Sequence, residues 1–287
     1  MQASGTSSDG QWAPIPMYHD SVFRWVFGTE QHAHVLRRFL KAAMPDLPAE
    51  EWTTLALPNT HLLTARQKEI VFDVLAVTSS GRRINVEIQT RGGMDVRRRF
   101  TFTNSTLAAD QLNPGDPYTD LSPVVTLVIS TFVLLPEDRD YRHTFWDYDP
   151  EHHIRFTSLR ELRTLELPKL ADDDGTDLWD WLRLIGAQTE EEIDMAVQSN
   201  PDLREAADLV KEFSADEARR YAARAHQKSL SDQASRELSA RQEGRQEGRQ
   251  EGRQEAIWTV AQSMPVEQVA RLFGITPDEV TAIVQAA

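Results

Sequence analysis

Cysteine is missing altogether from the 287 residues. That excludes a disulfide framework and thiolate zinc sites and suits a reducing compartment, so the expected location is cytoplasmic. Long hydrophobic runs are missing too. The longest uncharged apolar stretch, Val124 to Leu135, has twelve residues, where a membrane-spanning helix needs about 20. Residues 1–16 have neither a basic start nor an apolar core, and read as a flexible arm instead of a signal peptide. Positive charge is scarce, 31 Lys and Arg against 45 Asp and Glu, for a formal net charge of -14. Such a deficit ordinarily argues against nucleic acid as a partner, because duplex binding depends on basic side chains that neutralise phosphates. No nucleophile elbow and no glycine-rich phosphate loop occurs. What is present, 40% hydrophobic and 26% charged residues, is the balance of a folded globular chain.

The charge is unevenly spread. Residues 1–170 carry 18 basic and 21 acidic side chains, whereas 171–287 carry 13 and 24. Within 66–99 the sign reverses: eight Arg and Lys, among them Arg91, Arg97, Arg98 and Arg99, stand against four acids. A basic window in an acidic chain is where a phosphate-bearing partner would be met.

Hydrophobic spacing predicts one helix from His19 to about Met44, stopped by Pro45 and Pro48. A short extended piece follows at Thr54 to Leu57. Lys68 to Val77 reads as a buried strand, and Arg83 to Gln89 alternates, with Ile84, Val86 and Ile88 on one face and Asn85, Glu87 and Gln89 on the other. Asp95 to about Leu112 reads as a helix ended by Asn-Pro-Gly-Asp-Pro, and Val124 to Leu135 as a strand buried on both faces. Shorter strands are expected at His143 to Tyr148, Ile154 to Phe156 and Thr164 to Leu167. This α, β, β, β, α, β order is that of an α/β protein. The histidines His32, His34, His152 and His153 lack metal-ligand spacing and are expected at the surface.

The hairpin is where candidate chemistry gathers. With residues 79–81 as its loop and Gly81 in the left-handed conformation, Asp73 falls opposite Glu87. Opposed residues share a face, and Gln89, two positions on, joins them. Strand carboxylates usually face solvent, but Asp73 lies inside Ile-Val-Phe-Asp-Val-Leu-Ala-Val, where an unpaired carboxylate is costly. A bound cation or hydrogen-bond partners would relieve it. Carboxylate oxygens are hard ligands suited to Mg²⁺ or Mn²⁺.

Asp73 followed by Glu87-Ile88-Gln89 in this element order resembles the PD-(D/E)xK nuclease superfamily. More narrowly, it resembles the recombination-promoting nuclease and transposase family. The segments HDSVFRWVFG, FDVLAV, GRRINVEIQ, QLNPGDPYTDLSPVVTLVI, LELPKL and DEARRYAARAHQKSLSDQ carry the likeness, in that order, from about residue 16 onward. The resemblance implies a restriction-endonuclease-like αβββαβ core with a mixed sheet over 17–170, followed by an all-helical C-terminal extension. It implies metal-dependent hydrolysis of DNA phosphodiesters, with Asp73 and Glu87 as ligands of Mg²⁺ or Mn²⁺, Gln89 in the place of the superfamily's lysine, and Asp20 as a catalytic-site residue that is an accessory ligand of the metal or of a water. Arg99 and Gln111 match polar positions after the hairpin, and with Arg91, Arg97 and Arg98 are the DNA-binding candidates. The chain departs from the family pattern at Arg24, commonly Lys, and at Thr103 and Ala108, commonly Tyr. Glutamine offers a dipole where lysine offers a charge, which implies slow turnover or a DNA-binding protein without turnover.

Beyond Asp172 to Gly175 everything reads helical. Residues 171–240 form a helical region with capping patterns at Thr189/Glu192, Asn200-Pro201 and Ser214/Glu217. Arg-Gln-Glu-Gly then repeats over 241–256 as a linker or marginal helix, since each glycine costs about 1 kcal/mol relative to alanine. Residues 257–287 form a small helical tail resembling half of a helix-turn-helix, with Gly274 as a stop and Thr276 to Glu279 as a capped start. Its single basic residue, Arg271, gives poor support for groove binding, so the tail is expected in homo-oligomer formation or in regulatory self-interaction, with the acidic half shielding the basic face.

Overall fold

In the computed structural model, which describes residues 14–63, 69–93, 95–216 and 252–286 with scattered residues between 219 and 229, the hairpin forms in the expected register. Strands β1 (Leu55–Ala56), β2 (His61–Leu63) and β3 (Glu69–Val71) precede it. Strand β4 (Val74–Thr78) pairs antiparallel with β5 (Arg83–Gln89), Val74 facing Val86 and Val77 facing Arg83. Thr78 N–H donates to the Arg82 carbonyl at 3.0 Å, closing a loop of residues 79–81. Gly81 takes φ +87°, and a Cβ there would meet Ser122 Oγ at 2.9 Å, so both backbone and space require glycine.

Helix α3 (Val96–Ala109) carries the chain over the sheet to β6 (Val124–Ser130), which runs parallel to β5. Strand β6 is buried along its whole length, as a strand covered on both faces must be. After β7 (Arg142–Trp146) and a small hairpin of β8 (Tyr148–Asp149) with β9 (Ile154–Arg155), β10 (Arg160–Glu166) inserts between β6 and β7. The six-stranded order is β1-β4-β5-β6-β10-β7, antiparallel at both ends and parallel in the middle. This is the mixed sheet of a restriction-endonuclease-like core, with helices beyond it as expected. Val96 and Phe100 of α3 pack on Val128 and Leu162, and Leu107 packs on Val124, Leu75 and Phe72.

Four local expectations are corrected. The single helix from His19 to Met44 is two, α1 (Asp20–Phe27) and α2 (Ala33–Ala43), joined by a 3₁₀ turn. Gly28 ends α1 with its N–H on the Arg24 carbonyl, and a Cβ there would press on that same oxygen at 2.8 Å. The strand expected from Lys68 to Val77 changes partner midway: β3 pairs with β2, and β4 joins the large sheet. The strand at 164–167 is longer, because Glu161 and Arg163 are buried as a mutual ion pair that Asp46 also joins, and buried charge hid the apolar pattern. His32 is buried, with Nδ1 2.8 Å from the Trp25 carbonyl, and is not a surface residue, whereas His34 stays partly exposed and pairs with Glu205.

Of the helices α4 (Asp177–Gly186), α5 (Glu190–Ser199) and α6 (Arg204–Ala215), α4 packs against α2 and α6 against α1, while α5 packs on α4 and α6. Trp181 meets the rings of Phe27 and Phe39 at 6.0 and 5.7 Å, and Phe213 meets Trp25 at 6.3 Å. Thr189 and Glu192 form a reciprocal capping box, and Asn200 caps the 3₁₀ turn that Pro201 opens. Ser214 is no cap: it is buried in the last turn of α6, where its Oγ accepts the Ile15 N–H, and Asp216 instead accepts the Arg219 N–H.

A second unit spans Tyr221–Ala287. Its described part holds a helix over 252–261 and the helices Val266–Phe273 and Pro277–Ala286, packed around Ile257, Val269, Ala270 and Val280. Gly274 is left-handed at φ +65°, and Thr276 and Glu279 cap the last helix reciprocally. The arm up to residue 13, most of the expected helical region beyond residue 216, and the repeat up to residue 251 lie outside the described residues.

Candidate functional site

Asp73 stands where the chain leaves one sheet for the other. Phe72 N–H still bonds to the Thr60 carbonyl on the β2 side, and Val74 already pairs with Val86. Between them Asp73 has no ladder partner, and its carboxylate takes that role: Oδ2 accepts the backbone N–H of Ile88 at 2.9 Å. The other oxygen, Oδ1, lies 2.9 Å from Arg24 Nη2 of α1. Asp73 is thus fixed by β5 on one side and by α1 on the other, with its side chain only 12% exposed.

Continuing the β4–β5 register by one residue puts Glu87 across from Asp73. The face they share is the one α3 covers. Thr126, level with Asn85 on β6, receives a hydrogen bond from Asn104 of α3, and Val128, level with Glu87, packs against Val96 and Phe100. Glu87 Oε1 accepts from Asn85 Nδ2 at 3.0 Å. Burial and the neighbouring Asp73 charge raise the Glu87 carboxyl to about 8, so it holds a proton at neutral pH. Asp73 is also raised, first by burial and then by the charge of Asp20, against the pull of Arg24 and the Ile88 N–H. Asp20, in the first turn of α1, therefore acts electrostatically on the same place.

Gln89 is on this face as well. Its Oε1 accepts from Arg99 of α3, and its Nε2 donates to the Arg91 carbonyl at 2.9 Å. Arg99 and Arg24 both pull down the Glu87 carboxyl by their charge, which places two guanidinium groups beside the acids. The remaining candidates separate. Arg97 turns away, its guanidinium on the Glu137 carboxylate and the Leu134 carbonyl. Arg98 and Arg91 are exposed. Gln111 clasps the backbone of Ser122, donating to its carbonyl at 2.9 Å and accepting its N–H at 3.0 Å, and so pins the loop that leads into β6. A cavity of about 300 Å³ between α3 and β10–β7 is lined by Arg97 but not by Asp20, Asp73 or Glu87.

Arg24 is the site residue that sequence reasoning noted without using. Its place in the second turn of an amphipathic helix, where Val22, Phe23, Val26 and Phe27 face inward, was the available signal. Among the described residues no group of three or more His, Cys, Asp or Glu side chains is arranged to hold a metal ion. The donor set nevertheless suits a hard divalent cation in its chemistry: oxygen only, two acids forced together, and beside them Asn85 Oδ1 buried without a hydrogen bond. No curated protein and no solved structure matches the chain significantly. A family model does, over residues 17–239, and it is described as PD-(D/E)XK nuclease family transposase. The mixed sheet, the Asp73–Glu87 juxtaposition and that match over most of the length agree, and the chain belongs to the PD-(D/E)XK nuclease family transposases.

Proposed function

We propose that this chain is a DNA-binding protein of the nuclease fold whose centre hydrolyses phosphodiesters slowly and with Mg²⁺ or Mn²⁺. The observation that carries the reading is the state of the two acids. Asp73 is tied to Arg24, and Glu87 holds its proton to about pH 8, so the pair is not poised for a cation in advance. A cation that enters must displace Arg24 from Asp73 and a proton from Glu87, and both costs weaken binding at neutral pH.

Asp73 and Glu87 are the residues that would hold it. Such a cation would polarise a phosphoryl oxygen and sharpen a water as nucleophile. The chain's own groups do the rest. The Ile88 N–H fixes the Asp73 carboxylate in orientation, Asn85 does the same for Glu87, and Asp20 adds negative charge from α1. Arg24, once released, is a guanidinium at the edge of the site able to take a phosphate bidentately.

The test pairs binding with cleavage. Purified wild type and Asp73→Ala are compared on supercoiled plasmid with Mg²⁺, Mn²⁺ or chelator, and on labelled duplex by anisotropy. Slow nicking that vanishes in the variant, with duplex binding kept, supports the reading. Equal cleavage by both proteins, or no DNA binding by either, sinks it.

A further inference from the structure

Both ends of the Gln89 amide are already engaged by other parts of the protein. An amide has one carbonyl oxygen and one NH₂ group; here the oxygen receives Arg99 and the nitrogen donates to the Arg91 carbonyl. The second of these bonds is to backbone within two residues and sets the amide's direction. The first is to a side chain of another element, and it decides where the Arg99 guanidinium stands.

The identity of the partner matters for the charge. Arg97, two residues earlier, is discharged by the Glu137 carboxylate, and Arg24 by Asp73. Arg99 is held by a neutral amide, which fixes its position and leaves its full positive charge. Gln89 takes one N–H of a five-donor fork, and the rest of the fork lies outside that bond. Arg99 projects from the first turns of α3 on the exposed side, beside the carboxylate face of β5. An anion that reached Asp73 and Glu87 would therefore meet an undischarged guanidinium fixed in advance. A carboxylate at position 89 would cancel that charge, and a leucine would let it wander.

We propose that Gln89 is a positioning residue for Arg99, and that Arg99 is the catalytic cation that stabilises negative charge on the scissile phosphoryl group. The role rests on the hydrolytic reading above. In that hydrolysis a water oxygen bonds to phosphorus as the bond to the sugar oxygen breaks. One water proton leaves to solvent and the sugar oxygen gains one, giving a phosphomonoester and an alcohol. Arg99 exchanges no proton and acts through charge and hydrogen bonds alone, since a guanidinium stays protonated throughout.

The experiment uses the full chain with Mn²⁺ and supercoiled plasmid, and compares wild type, Arg99→Ala, Gln89→Leu, Gln89→Leu combined with Arg99→Ala, and the double variant Gln89→Lys with Arg99→Ala, all checked for folding by circular dichroism. Arg99→Ala is expected to lower kcat about 100-fold or more with KM nearly unchanged, and Gln89→Leu to lower it about 10–100-fold. The double variant, which moves the charge onto position 89, is expected to recover at least about tenfold over Arg99→Ala, as a relocated cation should. A second readout needs no turnover: calorimetric Mn²⁺ binding without DNA. Removing a fixed cation beside the acids should tighten it by about threefold to tenfold, and Gln89→Leu should have no further effect once Arg99 is gone.

An effect of Arg99→Ala on KM alone would make Arg99 a phosphate anchor and overturn the proposal. So would failure of the double variant to exceed Arg99→Ala, or independent effects of the two substitutions on Mn²⁺ binding. A wild type that neither nicks nor binds Mn²⁺ overturns the hydrolytic reading itself, and this assignment with it.

Discussion

Arg24 Nη2 sits 2.9 Å from Asp73 Oδ1, an ion pair between the first helix and the link from β3 to β4, 49 positions later. It ties up one oxygen of the candidate metal ligand. Replacing Arg24 with Met leaves a largely buried carboxylate without its cation. Stability at pH 7 is expected to fall by about 1–2 kcal/mol, less than for a fully buried pair because Arg24 is 47% exposed. Mn²⁺ should bind more tightly, since its competitor is gone. Denaturant melts and calorimetry check both, and weaker Mn²⁺ binding in the variant would contradict the competition.

Glu87 gives the metal-free protein a pH dependence of definite sign. Its folded-state value of about 8 is above that of an ordinary glutamate. The native state therefore holds a proton that the unfolded chain has lost, and stability declines as pH rises toward 8. For this one group the slope is at most about 1.4 kcal/mol per pH unit. Glu87→Gln should flatten it, raising Tm at pH 8 and leaving it nearly unchanged at pH 5. Parallel pH–Tm curves for the two proteins would refute the assignment.

Gln111 was a DNA-binding candidate by position, yet both ends of its amide are used on Ser122. Gln111→Ala is expected to cost about 1–2 kcal/mol of stability with plasmid nicking and duplex affinity per folded molecule intact. A specific loss of duplex affinity in a variant of normal Tm would restore the DNA-binding role.

The Leu-Glu-Leu-Pro-Lys-Leu segment has a physical account. Glu166, wholly buried, accepts the N–H groups of Leu134 and Leu135 and pairs with Lys169 at 2.9 Å. Lys169→Met would strand that carboxylate, at a cost of about 3–5 kcal/mol. The double variant Lys169→Met with Glu166→Gln should recover part of it. Urea midpoints decide the matter, and a single variant as stable as wild type would dismiss the clasp.

The acidic surplus belongs to helices that cannot be removed cleanly. Residues 171–220 carry 15 acids and 5 bases, whereas 221–287 carry 9 and 8. Most of the negative charge is thus on and around α4 to α6, whose Trp181 and Phe213 complete the aromatic cluster on α1 and α2. A chain ending near Ala171 is expected to lose its cooperative melt, and one ending at Arg220 to keep it. Cooperative unfolding of the shorter chain would show that the cluster is dispensable. Any regulatory role for the acidic half is better tested by neutralising exposed acids of α5 than by truncation.

The hairpin and what shares its carboxylate face are legible along the chain alone. Period-two alternation fixes which side chains point together, and a three-residue loop with a left-handed glycine fixes the register, so Asp73 and Glu87 follow from counting. Caps at Thr189, Asn200 and Thr276 were legible for the same reason: they are local, built from residues two or three positions apart. Where local signals mislead, distance along the chain is the cause. The change of sheet at Asp73 and the charged strand β10 each depend on a partner elsewhere. Only the tertiary structure could decide which cation answers which acid. Arg24 reaches Asp73, Arg97 goes to Glu137, and Arg99 is held by Gln89, because α1 and α3 approach one strand pair from separate places in the chain. Charge pairing is chosen by proximity in space, and neither periodicity nor composition records it.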